Sequence, residues 1–307
     1  MYKNALELKG IVKKYRKRIA LNGLDLNVPS GNVLGLVGSN GAGKTTTLSV
    51  ISGLLKIHSG TINLFEEGPF DPVKHSGRLT MMPQDSDLPK ETNVKDILMF
   101  YAQLQGLNIT QAKETVTEAI KWVNLSDRAD STIRTLSHGM RRRVVIAQAF
   151  LGSPELVLLD EPLSGLDPKE VANIRNMLSQ KKGHQTIMIS SHNLYEIEKI
   201  CDSVVFIELG KNMRQDSMDT ITGRSHMLVY WFSGPDLPLT QLREQLPDVI
   251  FEIDKDAKVL TCRCMEKKKA IHDVNKTILK NLLDADVEIL QMRQGSELES
   301  VYLNNVK

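Results

Sequence analysis

Residues 33–45 read Val-Leu-Gly-Leu-Val-Gly-Ser-Asn-Gly-Ala-Gly-Lys-Thr, an apolar run followed by a glycine-rich segment that ends in Lys-Thr. From Gly38 to Thr45 the segment fits G-x-x-x-x-G-K-[ST], the pattern of a phosphate-binding loop between a strand and a helix. Glycines let the backbone fold around phosphates, so that N–H groups and the helix N-terminus point at the anion. We predict that Lys44 contacts the β- and γ-phosphates and that the Thr45 hydroxyl binds Mg²⁺.

The loop is expected to lead into a helix over residues 46–54. The predicted phosphate-binding residues are Gly38, Ser39, Asn40, Gly41, Ala42, Gly43, Lys44, Thr45 and Thr46.

Further short apolar runs follow along the chain, at residues 79–82, 156–159, 186–189 and 203–207. Continuous apolar strands of this length are typical of a sheet that is buried on both faces. Because helical stretches separate them, we predict a parallel α/β core with right-handed crossovers.

Two adjacent carboxylates, Asp160 and Glu161, follow the apolar run at 156–159. This places them at the carboxyl edge of the sheet, where such folds bind their ligand. We expect Asp160 to hold Mg²⁺ through water and Glu161 to accept a proton from, or orient, the attacking water. Together with the phosphate loop they predict a nucleoside triphosphatase. Kinases, GTPases and recombinases share both parts, although the sequence lacks the N-K-x-D that reads guanine.

The segment Leu136-Ser137-His138-Gly139-Met140-Arg141 narrows the class. It resembles the L-S-G-G-Q signature of the ATP-binding subunits of ABC transporters, and the resemblance extends over residues 5–220. It implies that Ser137 and Gly139 approach the γ-phosphate of ATP bound by an opposite subunit, at a helix N-terminus suited to anions. His138 replaces a glycine, and Met140 replaces a glutamine whose hydrogen bonds methionine cannot make.

The same resemblance assigns two further catalytic residues. Gln84, after an apolar strand, resembles the glutamine that reaches Mg²⁺ and the attacking water. His192 resembles the switch histidine that senses the γ-phosphate, and its imidazole could donate to a phosphate oxygen and to a neighbouring backbone group. Residues 164–167 resemble the segment that crosses the dimer interface, where Asp167 would help to position the opposing site.

Tyr15 stands where the family stacks an aromatic ring on adenine, and it is expected to precede the first strand and turn. Two basic runs, at residues 13–18 and 141–143, are interpreted as solvated faces. The second run could also help to hold the signature helix.

The resemblance implies a P-loop NTPase core with a parallel sheet, an antiparallel β subdomain and a helical insertion at about 85–150, all within an ATP-binding domain at 1–222. Apolar spacing at 92–123 predicts two amphipathic helices in that insertion. Beyond residue 223 the order β-α-β-β-α-β, with a long helix at about 267–283, predicts a small α+β, ferredoxin-like accessory domain at 223–307.

Composition limits the partners. The chain has 307 residues with 39 Lys and Arg against 37 Asp and Glu, a balance too neutral to favour nucleic acid as a partner. Three cysteines, Cys201, Cys262 and Cys264, give no disulfide framework and fit a reducing cytosol, and their spacing does not favour zinc. No apolar run approaches the about 18 residues of a spanning helix, so a separate membrane chain is expected.

One chain carries one phosphate loop and one signature, which predicts a head-to-tail homodimer around two ATP molecules. We expect this ATPase to power a separate transmembrane permease from the cytoplasmic face of the inner membrane, as a peripheral subunit. Residues 296–303 and the L-S-x-G-M signature resemble bacterial drug, sodium or polysaccharide exporters, although the tail could equally be a helix without a special role. The alternative is a soluble ABC protein that acts on a ribosome or on DNA.

Overall fold

The computed structural model describes residues 3–16, 18–265 and 270–305, with side chains as far as Leu303. The described chain forms two compact units, residues 3–216 and residues 217–305. The expected boundary lay between residues 222 and 223.

The strands of the first unit are short in the centre of the unit and long near the N-terminus. They are β1 (Asn4–Tyr15), β2 (Arg18–Pro29), β3 (Val33–Val37), β4 (Ser59–Leu64), β5 (Leu79–Met82), β6 (Leu156–Asp160), β7 (Thr186–Ser191), β8 (Ser203–Glu208) and β9 (Lys211–Ser217). The helices of this unit are α1 (Lys44–Ile51), α2 (Val94–Leu104), α3 (Ile109–Trp122), α4 (His138–Ala149), α5 (Pro168–Ser179) and α6 (Leu194–Ile200).

The central sheet has the order β5-β6-β7-β3-β8-β9. Neighbouring strands from β5 to β8 are parallel, and every residue of β3, β6 and β7 is buried. This confirms the parallel core that the apolar runs predict. Because β3, β6 and β7 are adjacent and parallel, the segments that follow them meet at one edge of the sheet.

A second, antiparallel sheet has the order β2-β1-β4. Leu6, Leu8 and Ile11 of β1 pack into the core of the unit. Tyr15 is the last residue of β1, so the expectation that it precedes the first strand is wrong. Several register shifts interrupt the β1–β2 pairing, which breaks the period-two pattern by which a strand is recognised in a sequence.

The two amphipathic helices predicted at 92–123 are α2 and α3, which pack against each other. Helix α3 begins with a capping box, in which Asn108 and Gln111 each bind the other's backbone N–H. The chain then passes through two short 3₁₀ turns at residues 126–128 and 133–135 before α4 begins.

The second unit has the predicted order of strands and helices, preceded and followed by a short helix. Its elements are α7 (Met218–Thr222), β10 (Met227–Ser233), α8 (Leu239–Gln245), β11 (Val249–Asp254), β12 (Val259–Cys264), α9 (Ile271–Asp284), β13 (Glu288–Gln294) and α10 (Leu298–Asn305).

The strands of this unit form an antiparallel sheet in the order β11-β12-β10-β13, which confirms the ferredoxin-like prediction. Tyr230, Leu260 and Ile278 lie in its core. Helix α9 begins at Ile271 rather than near residue 267, and residues 266–269 lie outside the described part of the chain.

Within the described residues, no helix combines the length and the apolar character that crossing a bilayer requires.

Candidate nucleotide-binding and catalytic site

A cavity of about 530 Å³ opens at the edge of the central sheet where β3, β6 and β7 end. Most of the predicted site residues line it. They are Tyr15, Asn40, Gly41, Gly43, Lys44, Thr45, Thr46, Gln84, Glu161 and His192. Arg18, Ala20 and Ser164 complete the lining.

The phosphate loop connects β3 directly to α1, and its glycines are required by the backbone. Gly41 and Gly43 have φ values of 83° and 116°, in the left-handed region that favours glycine. A Cβ at Gly43 would lie 2.8 Å from the carbonyl oxygen of Ala20, and one at Gly38 would overlap the carbonyl oxygen of Ile207. Side chains therefore cannot fill the cradle that the loop backbone forms.

Lys44 is the first residue of α1, two residues before the expected start at Thr46. Its side chain is only 7% exposed, and Nζ donates to the carbonyl oxygens of Gly38 (2.8 Å) and Ser39 (3.2 Å). A buried ammonium is thus held at the loop, where it complements an anion.

Three predicted loop residues do not line the cavity. Gly38 and Ala42 are buried, and the Ser39 hydroxyl donates to the Glu208 carboxylate, with oxygens at 2.8 and 3.0 Å. Their contribution to the site is the shape of the backbone.

Asp160 ends β6 and is 1% exposed. Its Oδ1 accepts a hydrogen bond from the Ser190 hydroxyl, whereas Oδ2 is buried without a hydrogen-bond partner. Such an orphaned carboxylate oxygen fits a cation. The described residues contain no cluster of three or more His, Cys, Asp or Glu side chains suited to a metal. The buried, unpartnered oxygen of Asp160 fits Mg²⁺, which commonly takes one or two carboxylates together with water and substrate phosphates.

Glu161 adopts a left-handed backbone, with φ of 48°, which is unusual for a residue other than glycine. Its N–H donates to the Ser190 hydroxyl at 2.9 Å. Its carboxylate is 4.0 Å from the Lys44 ammonium and 3.0 Å from Nδ1 of His192. The Ser190 hydroxyl thus links the Asp160 carboxylate to the backbone N–H of Glu161, and no motif in the sequence marks this serine.

His192 differs from the sequence prediction in its partner. A backbone group was expected for one ring nitrogen, but Nδ1 faces the Glu161 carboxylate. The side chain is 59% exposed, so the rest of the ring is accessible from the cavity. Donation from Nδ1 to Glu161 and from Nε2 to a phosphate oxygen at the same time requires the doubly protonated imidazolium.

The aromatic end of the cavity contains Tyr15, whose exposed fraction is 44%. Arg18 lies beside it and donates from Nη2 to the carbonyl oxygen of Gly41 at 3.1 Å. Arg18 is exposed, as expected for residues 13–18, and it also lines the cavity. Its position three residues after Tyr15 was the one signal in the sequence that placed it near the aromatic end of the site. Lys17 lies outside the described residues.

The signature-like segment, residues 136–141, does not contribute to the lining of this cavity. Ser137 is the N-cap of α4, and its Oγ accepts from the N–H of Met140 at 3.2 Å. Ser137 and His138 are exposed, whereas Gly139 is buried. A Cβ at Gly139 would lie 2.6 Å from Cγ of Glu170, which explains the glycine there. Neither Ser137 nor Gly139 is among the residues that line the cavity.

The basic run at 141–143 is not a solvated face, because its side chains are half-buried or buried, and the alternative that it helps to hold the signature helix fits these contacts. Arg141 donates to the carbonyl oxygen of Leu136 at 2.8 Å, at the start of its own helix. Arg143 is 7% exposed, donates to the carbonyl oxygen of Val123 at 2.7 Å and pairs with Glu170. Successive helical residues point about 100° apart, so each arginine faces a different neighbour.

Arg142, between them, binds the backbone of the cavity-lining segments. Its guanidinium donates to the carbonyl oxygens of Gln84 (3.1 Å), Pro162 (2.9 Å) and Glu161.

Known proteins resemble this chain in sequence and in fold. The sequence pattern of the ABC transporter family matches residues 21–164. The Nod factor export ATP-binding protein I of Burkholderia orbicola (strain AU 1054) is 33% identical over 76% of this chain and 75% of its own. The linearmycin resistance ATP-binding protein of Bacillus subtilis (strain 168) is 34% identical over 67% of each chain.

Solved structures agree. The cbiO1 subunit of Clostridium perfringens, part of the ABC transporter complex cbiONQ, is 27% identical with a TM-score of 0.65, over 72% of this chain and 92% of that one. An ATP-binding subunit of an ABC transporter that shares 23% identity has the same fold, with a TM-score of 0.64 over 90% of this chain and 99% of that one. The chain described here belongs to the ABC transporter family and is an ATP-binding cassette subunit, of the kind that hydrolyses ATP to power transport.

Proposed function

We propose that two copies of this chain close head to tail around two ATP molecules and drive export through a separate membrane permease. In this proposal residues 1–222 are the ATP-binding domain, with its helical insertion at about 85–150, and residues 223–307 are the accessory domain. The subunit would act as a peripheral protein at the cytoplasmic face of the inner membrane.

The observation that carries the proposal is the separation of the two halves of the site. Lys44 and Glu161 line the cavity, but Ser137 and Gly139 do not. Ser137 is exposed at the N-terminus of a 12-residue helix, where backbone N–H groups and the helix dipole favour an anion. A second copy, related by a two-fold axis, would bring this helix end to the open cavity of the first copy. The first copy would present its own helix end to the cavity of the second in the same way.

ATP binding would use the cavity from end to end. Tyr15 would stack on the adenine, and the loop N–H groups with Lys44 would hold the phosphates. Thr45, Gln84 and Asp160 would hold Mg²⁺, and the buried, unpartnered Oδ2 of Asp160 is the feature that fits it. Bound Mg²⁺ supplies positive charge to the β- and γ-phosphate oxygens.

Hydrolysis would depend on Glu161. As a water oxygen bonds to the γ-phosphorus and the bond from that phosphorus to the bridging oxygen breaks, the Glu161 carboxylate would accept the water proton and ADP would keep the bridging oxygen. His192, 3.0 Å away, would hold the carboxylate in place. Lys44 would neutralise charge on the transferred phosphoryl group.

Export and a permease partner are proposed from the relatives. The two curated relatives described above are named for Nod factor export and for linearmycin resistance. They favour transport over the alternative, a soluble ABC protein that acts on a ribosome or on DNA. Copurification of the chain from native membranes, followed by identification of the membrane chain that accompanies it, would test the permease partner.

The dimer is tested with Glu161→Gln, which keeps the shape of the side chain but removes the base. In Mg²⁺ and ATP we expect this variant to elute at twice the monomer mass in size-exclusion chromatography with light scattering. Lys44→Ala is the matched control and should remain a monomer, because it loses the phosphate contact. If Glu161→Gln stays a monomer in saturating ATP, the head-to-tail model is wrong.

A further inference from the structure

The guanidinium of Arg142 joins two segments of the site through three backbone carbonyl groups. Nη1 donates to Gln84 at 3.1 Å, Nε donates to Pro162 at 2.9 Å and Nη2 donates to Glu161. Arg142 itself lies on α4, whose N-cap is Ser137. One planar side chain therefore connects the signature helix to the Gln84 segment and to the segment that follows β6.

The contact with Glu161 acts on a strained backbone. A left-handed φ at a residue other than glycine is a strained conformation that persists only where the surroundings hold it. At Glu161 the N–H is held by Ser190, and the carbonyl oxygen accepts from Arg142 and from the N–H of Ser164 (3.2 Å). Arg142 is thus one of three residues that hold the backbone of Glu161, with Ser190 and Ser164.

Arg142 is a cation in a partly buried place. Burial lowers its pKa, while the carboxylates of Asp160, Glu161 and Asp85 act in the opposite direction. An arginine stays protonated at neutral pH, and its fixed fork sets the distance between the groups that it binds. A lysine could satisfy some of these carbonyl groups but could not reproduce the fork.

We propose that Arg142 is a positioning residue that couples the signature segment to the catalytic carboxylate of the same chain. This inference rests on the proposed function, in which Ser137 and Gly139 contact the ATP held by a second copy. Because Arg142 lies on the same helix, a displacement of α4 on that contact moves Gln84 and Glu161. Occupation of one ATP site thereby changes turnover at the other.

The test uses the full chain with Arg142→Gln and Arg142→Lys. Arg128→Gln is the matched control, because Arg128 is an exposed arginine that pairs with its neighbour Asp127. For each variant we would measure steady-state ATPase rates across ATP concentrations, the dissociation constant for a fluorescent ATP analogue, and the midpoint of urea unfolding. Glu161→Gln serves as the variant without turnover.

For Arg142→Gln we expect kcat to fall roughly tenfold or more, a dissociation constant within about twofold of the parent, and a Hill coefficient that falls towards 1. The kcat and Hill coefficient of Arg142→Lys should lie between those of the parent and those of Arg142→Gln, since lysine retains donors without the fork. If Arg142→Gln does not fold, Arg142→Lys becomes the test. Its kcat and Hill coefficient must then both fall, by less than is expected for Arg142→Gln.

The inference is overturned if the folded Arg142 variants match Arg128→Gln in kcat and Hill coefficient. It is also overturned if kcat and affinity fall together and lysine restores neither, because that describes a general loss of structure. If the unmodified chain hydrolyses ATP and Glu161→Gln does not, the proposed function stands, whatever the results for the Arg142 variants. A parent without ATPase activity overturns the proposed function and this inference with it.

Discussion

Nδ1 of His192 lies 3.0 Å from both carboxylate oxygens of Glu161. A histidine and a glutamate that are both predicted to act at the γ-phosphate thus bind each other. The exposed imidazole holds a glutamate side chain that is only 9% exposed. An acid–base group that is held in one orientation gains from positioning as well as from its chemistry.

His192→Ala is expected to lower kcat by roughly 10²- to 10⁴-fold, because Glu161 loses the partner that orients it. The KM for ATP should change far less, since binding rests on the loop, Lys44 and Tyr15. Steady-state ATPase assays measure both constants. A variant that keeps more than half of the parent kcat would contradict the role of this pair.

Ser190→Ala should destabilise the fold by about 1–3 kcal/mol, because it removes the hydroxyl that binds both Asp160 and the N–H of Glu161 in a buried place. Ser179→Ala is the matched control, since that hydroxyl binds the Arg175 carbonyl on an exposed helix face. The control should change stability by less than about 0.5 kcal/mol. Equal urea midpoints for the two variants would show that the bridge at Ser190 is unimportant.

Tyr15→Ala should weaken ATP binding, since stacking of a base on an aromatic ring contributes about 1–3 kcal/mol. That corresponds to a roughly 5- to 150-fold rise in the dissociation constant. Tyr15→Phe should keep the affinity, because the ring face is retained. Isothermal titration would show this, with the exposed Tyr195→Ala as control; a Tyr15→Ala chain with parental affinity argues against stacking.

The cysteines should be unreactive in the folded protein. Burial raises the pKa of the Cys201 and Cys262 thiols, so the thiolate fraction at pH 8 falls below that of a free cysteine. Cys264 is partly exposed, and burial raises its pKa too. A disulfide reagent at pH 8 should therefore modify Cys264 slowly and the others only after unfolding. Cys264→Ala should remove the native signal, and rapid modification of all three thiols would be inconsistent with the buried positions.

Much of the first unit could be predicted from local patterns. A buried parallel strand needs a continuous apolar run, which β3, β6 and β7 have. The glycines of residues 38–43 are needed because side chains at these positions would collide with neighbouring atoms. The long strands β1 and β2 were less visible, because register shifts interrupt their alternation. The ferredoxin-like order of the second unit followed from the spacing of its strands and helices.

The individual roles of neighbouring polar residues could not be predicted in the same way. Arg141, Arg142 and Arg143 are identical in type and adjacent in the sequence, but their bonds go to three different parts of the fold. Ser190 had no pattern to distinguish it, because its two partners come from another strand.

The sequence by itself determined the phosphate loop, the DE pair at the end of a strand and the family, because each depends on residues that are close together in the chain. Only the tertiary structure decided that His192 faces Glu161, that Arg18 lines the cavity and that Arg142 binds the Gln84 and Glu161 carbonyl groups. These contacts join residues far apart in sequence. The contacts of His192 and Arg142 exist because parallel strands bring their carboxyl ends to one edge and because α4 packs beside that edge, whereas Arg18 comes from the start of β2 in the antiparallel sheet.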